Sequence, residues 1–392
     1  MIYFVPSNRS LWVDEGYTAL SALEPSFSEW VNRFPVNFGY DPLKPLEGFA
    51  TFAFSRFTGS SELALRYHNA LWILLGVFAC TKLALIFRLP WLPFVFLLHP
   101  FVWVYYDEVR PYAMQLGGGA LLLWGCLSIL QFRGSNLAGW LVFGSGGFLL
   151  SGSSLLGGIP VAFAFVGLVV LGVARRWKIT SAGWIAIGAF LGSQILWLAY
   201  YAWQMVLWRG QEAARQWDVG LVNLAYSAFE FLGMGGLSPS REILRATIKS
   251  EGISQGMELF FTPWSLLIPV VLALWLFLAF WAAKALFRPS EAQVGGYFCL
   301  IIFLVTGAFL FAAAYVFKWP FWGRHLAGIF PWFLFLALFG TAGRSSRFKT
   351  IVLLLLSLTL TVSSVRWAVA QNPYREDYRS AADLAKSALT QN

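Results

Sequence analysis

Three short segments hold most of the side chains that could do chemistry. Asp14 and Glu15 stand side by side in LWVDEGY, Leu11 to Tyr17. Asp107, Glu108 and Arg110 crowd YYDEVRPY, Tyr105 to Tyr112. Lys318, Arg324 and His325 punctuate KWPFWGRH. Two adjacent carboxylates at a poorly solvated surface repel each other, so at least one should hold its proton more tightly, which suits a general base. An arginine close to such a site suits phosphate, because its guanidinium is a planar fork of donors. Plain structural readings compete with each of these. Asp14 could cap a helix over Gly16 to Thr18. Glu108 could cap a helix whose first position is Pro111, with Arg110 as its interfacial partner. Lys318 and Arg324 could snorkel between Trp319, Phe321 and Trp322.

The elements that must position these groups are membrane spans. The 392 residues are 58% hydrophobic and only 12% charged, where a soluble domain carries about 25% charge. Twenty Trp and 37 Phe suit an apolar interior with aromatic belts at both interfaces. A span needs about 20 apolar residues. Ten runs qualify: Leu65–Phe87, Trp91–Tyr106, Tyr112–Phe132, Gly139–Leu155, Gly158–Ala174, Ala182–Met205, Pro263–Phe287, Val294–Phe317, Leu326–Thr341 and Ile351–Ala370. The loops between them sort by charge. Of the 19 Asp and Glu residues, all but Glu291 fall on one side. The other side has short basic loops at Arg88, Arg133, Arg175 to Lys178, Arg288 and Arg344 to Lys349. Basic loops stay in the cytoplasm, so the acidic face is expected outside, with both termini on it. The expected fold is an all-α polytopic membrane protein of about ten transmembrane helices. It forms a single domain over 1–392: a first outer loop 1–62, six spans in 63–205, a long outer loop 206–262, four spans in 263–370 and an outer tail 371–392. Ser26, Glu29 and Trp30 read as the start of an amphipathic helix, and Val219 to Gly236 as a helix lying in the interface.

Other readings are disfavoured. The net charge of +9 forms no stripe, so nucleic acid is not an expected partner. There is no nucleotide-binding glycine loop and no His/Cys metal spacing. Cys80, Cys126 and Cys299 lie in apolar runs, so neither a disulfide nor a metal cluster is expected. His68 and His99 read as packing residues, and Gly117 to Gly119 as a place where helices approach closely. Asn372 to Arg379 alternates charge before the helix-like AADLAKSAL and reads as a solvated helix.

Taken in order, five segments resemble membrane glycosyltransferases of the C-type superfamily, in particular the group of protein mannosyltransferases and bacterial aminoarabinose transferases. These are SLWVDEGYTALSAL with its Asp-Glu pair; DPLKPL (Asp41 to Leu46) followed by FSRFTGSSELALRYHNAL; EVRPYAM (Glu108 to Met114); WGRHLAGIFPW (Trp322 to Trp332); and YREDYRSAADLA (Tyr374 to Ala385). The family's adjacent prolines are split here, as Pro42 and Pro45. The span that precedes the Asp-Glu loop in the family and the soluble domain that often follows the last segment are missing from this sequence, so a downstream start or a fragment is expected. The resemblance implies inverting transfer of a sugar from a polyprenyl-phosphate-linked donor to an acceptor hydroxyl on the outer face of a bacterial inner membrane. It implies Asp14 as base with Glu15 beside it, and Arg110, Lys318, Arg324 and His325 as phosphate ligands. Glu108, Asp107 and Tyr112 would position substrate. No cofactor is required, with room for a divalent cation. The partners would be the prenyl-phosphate sugar, an acceptor glycolipid, polysaccharide or protein, and membrane lipid. Two alternatives stand beside it: a lipid-linked glycan flippase, which should carry charges inside its spans, and an inactive relative that scaffolds an assembly.

Overall fold

The computed structural model describes residues 13–37, 41–207, 219–239, 241–287, 291–319, 321–342 and 347–369; the segment YREDYRSAADLA lies outside them. Among the described residues there is no strand. Four short helices, α1 (Val13–Ala22), α2 (Phe27–Asn37), α3 (Pro45–Thr58) and α4 (Glu62–Arg66), build the first loop unit. They are followed by α5 (His68–Phe87), α6 (Leu92–Leu98), α7 (Pro100–Tyr106), α8 (Tyr112–Gln131), α9 (Leu137–Ser153), α10 (Gly158–Ala174) and α11 (Ser181–Leu207). The long later loop holds α12 (Leu221–Phe231), α13 (Arg241–Glu251) and α14 (Ile253–Glu258). The last part comprises α15 (Leu267–Leu286), α16 (Glu291–Phe317), α17 (Phe330–Phe339) and α18 (Arg347–Val369).

Every one of the ten apolar runs is helical. Among the described residues seven helices are long and apolar enough to cross a membrane, and Leu137–Ser153 and Gly323–Phe339 are shorter apolar ones. Lipid offers no partner for backbone N–H and C=O groups, so spans must satisfy them internally, as helices do. The run Trp91–Tyr106 differs from the expected single span. It breaks into α6 and α7 at His99 and Pro100. Proline has no N–H to give and pushes the residue before it into an extended conformation; His99 has ψ 128, and its Nδ1 accepts the Phe101 N–H at 3.2 Å, restarting the helix.

Helix α8 is the axis of the bundle. It is almost wholly buried, while the other long spans turn one face to lipid. Its glycines are what permit this. A Cβ on Gly117 would collide with the Trp72 carbonyl of α5, and one on Gly119 with the Gly328 carbonyl. Gly125 meets the Phe143 backbone, and Gly146 of α9 meets Leu122 in return. In lipid there is little hydrophobic drive between helices, so such backbone contact supplies the packing.

Four helix ends close alike. Arg88, Arg133, Arg176 and Lys318 take φ of 56, 49, 52 and 55. The next residue reaches back five positions in each case, as in Leu89 N to Ala84 O and Trp177 N to Gly172 O, both 2.9 Å. Glycine usually holds this turn. A side chain there costs roughly 1–2 kcal/mol, which a cation facing the helix's exposed carbonyls partly offsets.

The first loop is a folded unit. The Ser26 hydroxyl caps α2 by accepting the Glu29 N–H at 3.2 Å, as the sequence suggests. Trp30 and Phe34 of α2 then stack at 4.6 Å and bury against Phe52 of α3. Ser55 donates to the Ala22 carbonyl at 3.1 Å, and Arg56 donates to the Glu24 carbonyl, tying α3 to the end of α1. Helix α3 also packs on α9 and α5, which seats the unit on one end of the bundle.

Candidate active site

The two acidic segments meet. Asp14 and Glu15 follow each other on α1, so helix geometry turns them about 100° apart. The helix already includes Val13, so Asp14 stands within it, not ahead of a start at Gly16. The Asp14 side chain lies outside the described residues. Glu15 points inward and has no exposed surface. Its Oε1 accepts the Val109 N–H at 2.7 Å, across 94 positions of sequence, and its Oε2 lies 3.4 Å from Arg66. Arg66 closes α4, which Ser61 caps through the Ala64 N–H, and it too is fully buried. A buried carboxylate persists only when paired and hydrogen-bonded, and Glu15 is both.

Asp41 is a second centre. It opens a single 3-10 turn, Asp41–Leu43, between α2 and α3. Its Oδ2 accepts the Thr18 hydroxyl of α1 at 2.5 Å. Its Oδ1 is shared by Lys44 Nζ at 3.0 Å and Arg110 at 2.8 Å. Burial by itself would raise the Asp41 carboxyl; Lys44, Arg110 and the Thr18 hydroxyl outweigh it and hold the group below its ordinary value, so it stays ionised. Arg110 thus pairs with Asp41 of the first loop; the sequence reading placed it beside its neighbour Glu108.

The turn 107–110 is held from below. The Asn69 amide donates to the carbonyls of Tyr106 at 2.9 Å and Glu108 at 2.6 Å. Asp107, Glu108 and Arg110 are all buried there. No side chain caps α8; Pro111 starts it with helical φ −68, so the expected capping by Glu108 does not occur. Deeper in the same loop unit, His68 Nδ1 lies 2.6 Å from the Leu65 carbonyl and Nε2 lies 2.9 Å from Glu47, a fully buried pair joining α5 to α3.

The late segment joins through Arg324. Its guanidinium lies 5.8 Å from the Tyr112 ring centroid, and Tyr112 packs on Tyr105 at 5.0 Å. Glu108, Arg110, Tyr105 and Tyr112 all act electrostatically on Arg324. Glu230 of α12 arrives from the long outer loop: its Oε2 occupies the space that a Cβ on Gly323 would need. The other two expected cations behave differently. His325 Nδ1 accepts the Trp322 N–H at 3.2 Å and so closes the turn at Gly323–Ile329. Lys318 is exposed, and its ammonium sits 4.7 Å over the Tyr315 ring of its own helix.

The site therefore gathers Glu15, Asp107, Glu108, Arg110, Tyr112 and Arg324 from the expected set. It adds Thr18, Asp41, Lys44, Arg66, Asn69, Tyr105 and Glu230, which the sequence reading did not single out. Asp41 and Lys44 had a signal in their i, i+3 spacing, and Arg66 in its place as a lone cation where an apolar run begins. Glu230 had none, because its relevance depends on where α12 docks. Among the described residues no group of three or more His, Cys, Asp or Glu side chains is arranged to hold a metal ion.

No family model matches the chain, and no curated protein matches it. Two solved structures are similar, crystal structures of ArnT from Cupriavidus metallidurans in the apo state and bound to undecaprenyl phosphate. They are 15% and 16% identical, and each match covers 93% of this chain and 75% of that chain with a TM-score of 0.43.

Proposed function

We propose that the protein transfers a sugar, with inversion, from a polyprenyl-phosphate donor to an acceptor hydroxyl at the outer face of the membrane. The observation that carries this is the meeting of three distant segments, through the buried Glu15 and Arg110 and the half-buried Arg324, in one charged cluster at the end of the bundle. Among the described residues, the buried Asp, Glu, Lys and Arg side chains all come from the first loop unit and from the turn 107–110. A transporter would place such groups along its spans; their position here supports surface chemistry.

Prenyl phosphate is a good leaving group, so one base and a cationic cradle suffice. Asp14 takes the acceptor's hydroxyl proton. The oxygen attacks the anomeric carbon from the face opposite the phosphate, the bond from that carbon to the phosphate oxygen breaks, and the bonding pair leaves with the phosphate. Arg110 and Arg324 neutralise the charge that develops there, joined by Lys44, which the fold holds on the same Asp41 oxygen as Arg110. Glu15 holds the 107–110 turn against α1, and Glu108 orients Arg324.

The test is Asp14→Asn in purified protein with a labelled prenyl-phosphoryl sugar. Removing a general base typically costs about a hundredfold to ten-thousandfold in rate, with binding of bare prenyl phosphate retained. Near-normal turnover would move the base to Glu108. Labelling, from outside intact cells, of a cysteine placed at Ser346 would reverse the orientation and remove the outer-face assignment.

A further inference from the structure

Helix α11 carries two glutamines that end differently. Gln194 is satisfied: its Oε1 accepts the Ser151 hydroxyl at 2.6 Å and its amide donates to Ser193 at 3.3 Å. Gln204, at the outer end of the helix, has no exposed surface. The Tyr200 hydroxyl donates to the Pro42 carbonyl at 2.9 Å. That hydroxyl has a single proton, so toward Gln204 it can only accept. Gln204 must therefore present Nε2, which lies 3.3 Å away. The amide orientation is fixed, and among the described residues Oε1 is left buried with no donor.

A buried acceptor without a donor is costly to keep. What would satisfy Oε1 must be a hydrogen-bond donor, which excludes phosphate and carboxylate groups. An ammonium group is disfavoured as well, because the neighbouring charge centre is Asp41, one position from Pro42 and already shared by Lys44 and Arg110. A hydroxyl fits both conditions. We infer that Gln204 and Tyr200 form a subsite for an uncharged sugar hydroxyl, beside the cationic cluster. This rests on the glycosyl-transfer reading and deepens it: the group presented to α11 is neutral, and it belongs either to the donor's sugar or to a sugar on the acceptor.

The experiment compares wild type with Gln204→Leu in lipid nanodiscs, using undecaprenyl phosphate, undecaprenyl phosphoryl mannose and octyl mannoside as probes. Gln204→Leu should bind undecaprenyl phosphate like wild type. It should lose about threefold to tenfold in affinity for one mannose-bearing probe, as expected for one neutral hydrogen bond. Loss confined to the phosphoryl mannose assigns the subsite to the donor; loss confined to octyl mannoside assigns it to the acceptor. Thermal stability should fall by no more than the loss of the single long amide bond from Nε2 to Tyr200 accounts for, since Oε1 has no partner among the described residues. Gln204→Asn, which withdraws the amide by one methylene, serves the same comparison if the leucine variant does not fold. Unchanged affinity for both mannose probes overturns the subsite, as does an equal loss for the bare lipid. Wild type that binds no prenyl phosphate at all overturns the glycosyl-transfer reading, and the subsite with it.

Discussion

Glu15 and Asp41 are two buried carboxylates of the same loop unit, and they are used in opposite ways. Glu15 divides its oxygens between one arginine and one backbone N–H. These two partners belong to the scaffold, and the result is a staple between α1, α4 and the 107–110 turn. Asp41 commits one oxygen to Thr18 and makes two cations share the other. Lys44 and Arg110 are thereby held close together against their own repulsion. A phosphate approaching them relieves that repulsion, and more so as it gains a second charge on leaving the sugar, whereas nothing comparable is gained at Glu15. Two acids of similar burial thus separate into one that fixes geometry and one that, on the proposed function, keeps cations poised for a ligand.

The largest expected effect breaks the staple. Glu15→Gln takes a counter-charge from the buried Arg66, and losing one partner of a buried pair costs about 3–5 kcal/mol. Thermal unfolding in detergent should show that loss. The double variant Glu15→Gln with Arg66→Met should recover a good part of it, because the stranded charge goes too. A Glu15→Gln protein that melts like wild type would mean the pair is not structural.

Asp41→Asn should be milder for the fold and harder on the ligand. Hydrogen bonds to a charged group are worth about 1.5–3 kcal/mol, and the Thr18 bond can survive in the amide. With its carboxyl held below the ordinary 3.8, Asp41 contributes stability that is fully present above that value and is lost as pH falls through the lower folded value. Wild type should therefore gain stability over Asp41→Asn by a constant amount between about pH 5 and pH 8, and the gap should close only in stronger acid. A gap that narrows near neutral pH would contradict the arrangement of cations around Asp41.

The sequence made much of this legible, and the reasons are physical. Apolar runs of span length and the sorting of acids to one side required only hydropathy and charge, so the helical architecture could be read directly. The glycines of α8 were recognisable as packing positions because three in a row within a span have few other uses. The break at His99 and Pro100 was missed because a run of apolar residues conceals a change of direction. The site was legible by segment and not by pairing. Arg110 was set beside Glu108 because they are neighbours in sequence, while the fold brings Asp41 to it from 69 positions away. Glu230 is the extreme case: nothing local marks it, and only the close approach at Gly323 shows where it sits.

The two cations of the late segment give the finest version of the comparison. Arg324 lies against Tyr112 and within the field of Glu108 and Arg110, inside the cluster. Lys318 shares the same short loop but turns back over Tyr315 and is exposed. Arg324→Ala should weaken binding of prenyl phosphate by about tenfold to a hundredfold, the worth of one charge-assisted contact. Arg324→Lys should recover only part of that, since an ammonium cannot reproduce the guanidinium fork. Lys318→Ala should change affinity by no more than about threefold. An exposed cation over an aromatic ring contributes only about 0.5–1 kcal/mol, and that contribution is to the end of α16, not to a ligand. Affinities of the three variants for one prenyl-phosphate analogue, measured at two salt concentrations, separate the cases. A Lys318→Ala loss as large as that of Arg324→Ala would mean that the lysine leaves Tyr315 to reach the phosphate, and the boundary drawn between the two cations would have to be withdrawn.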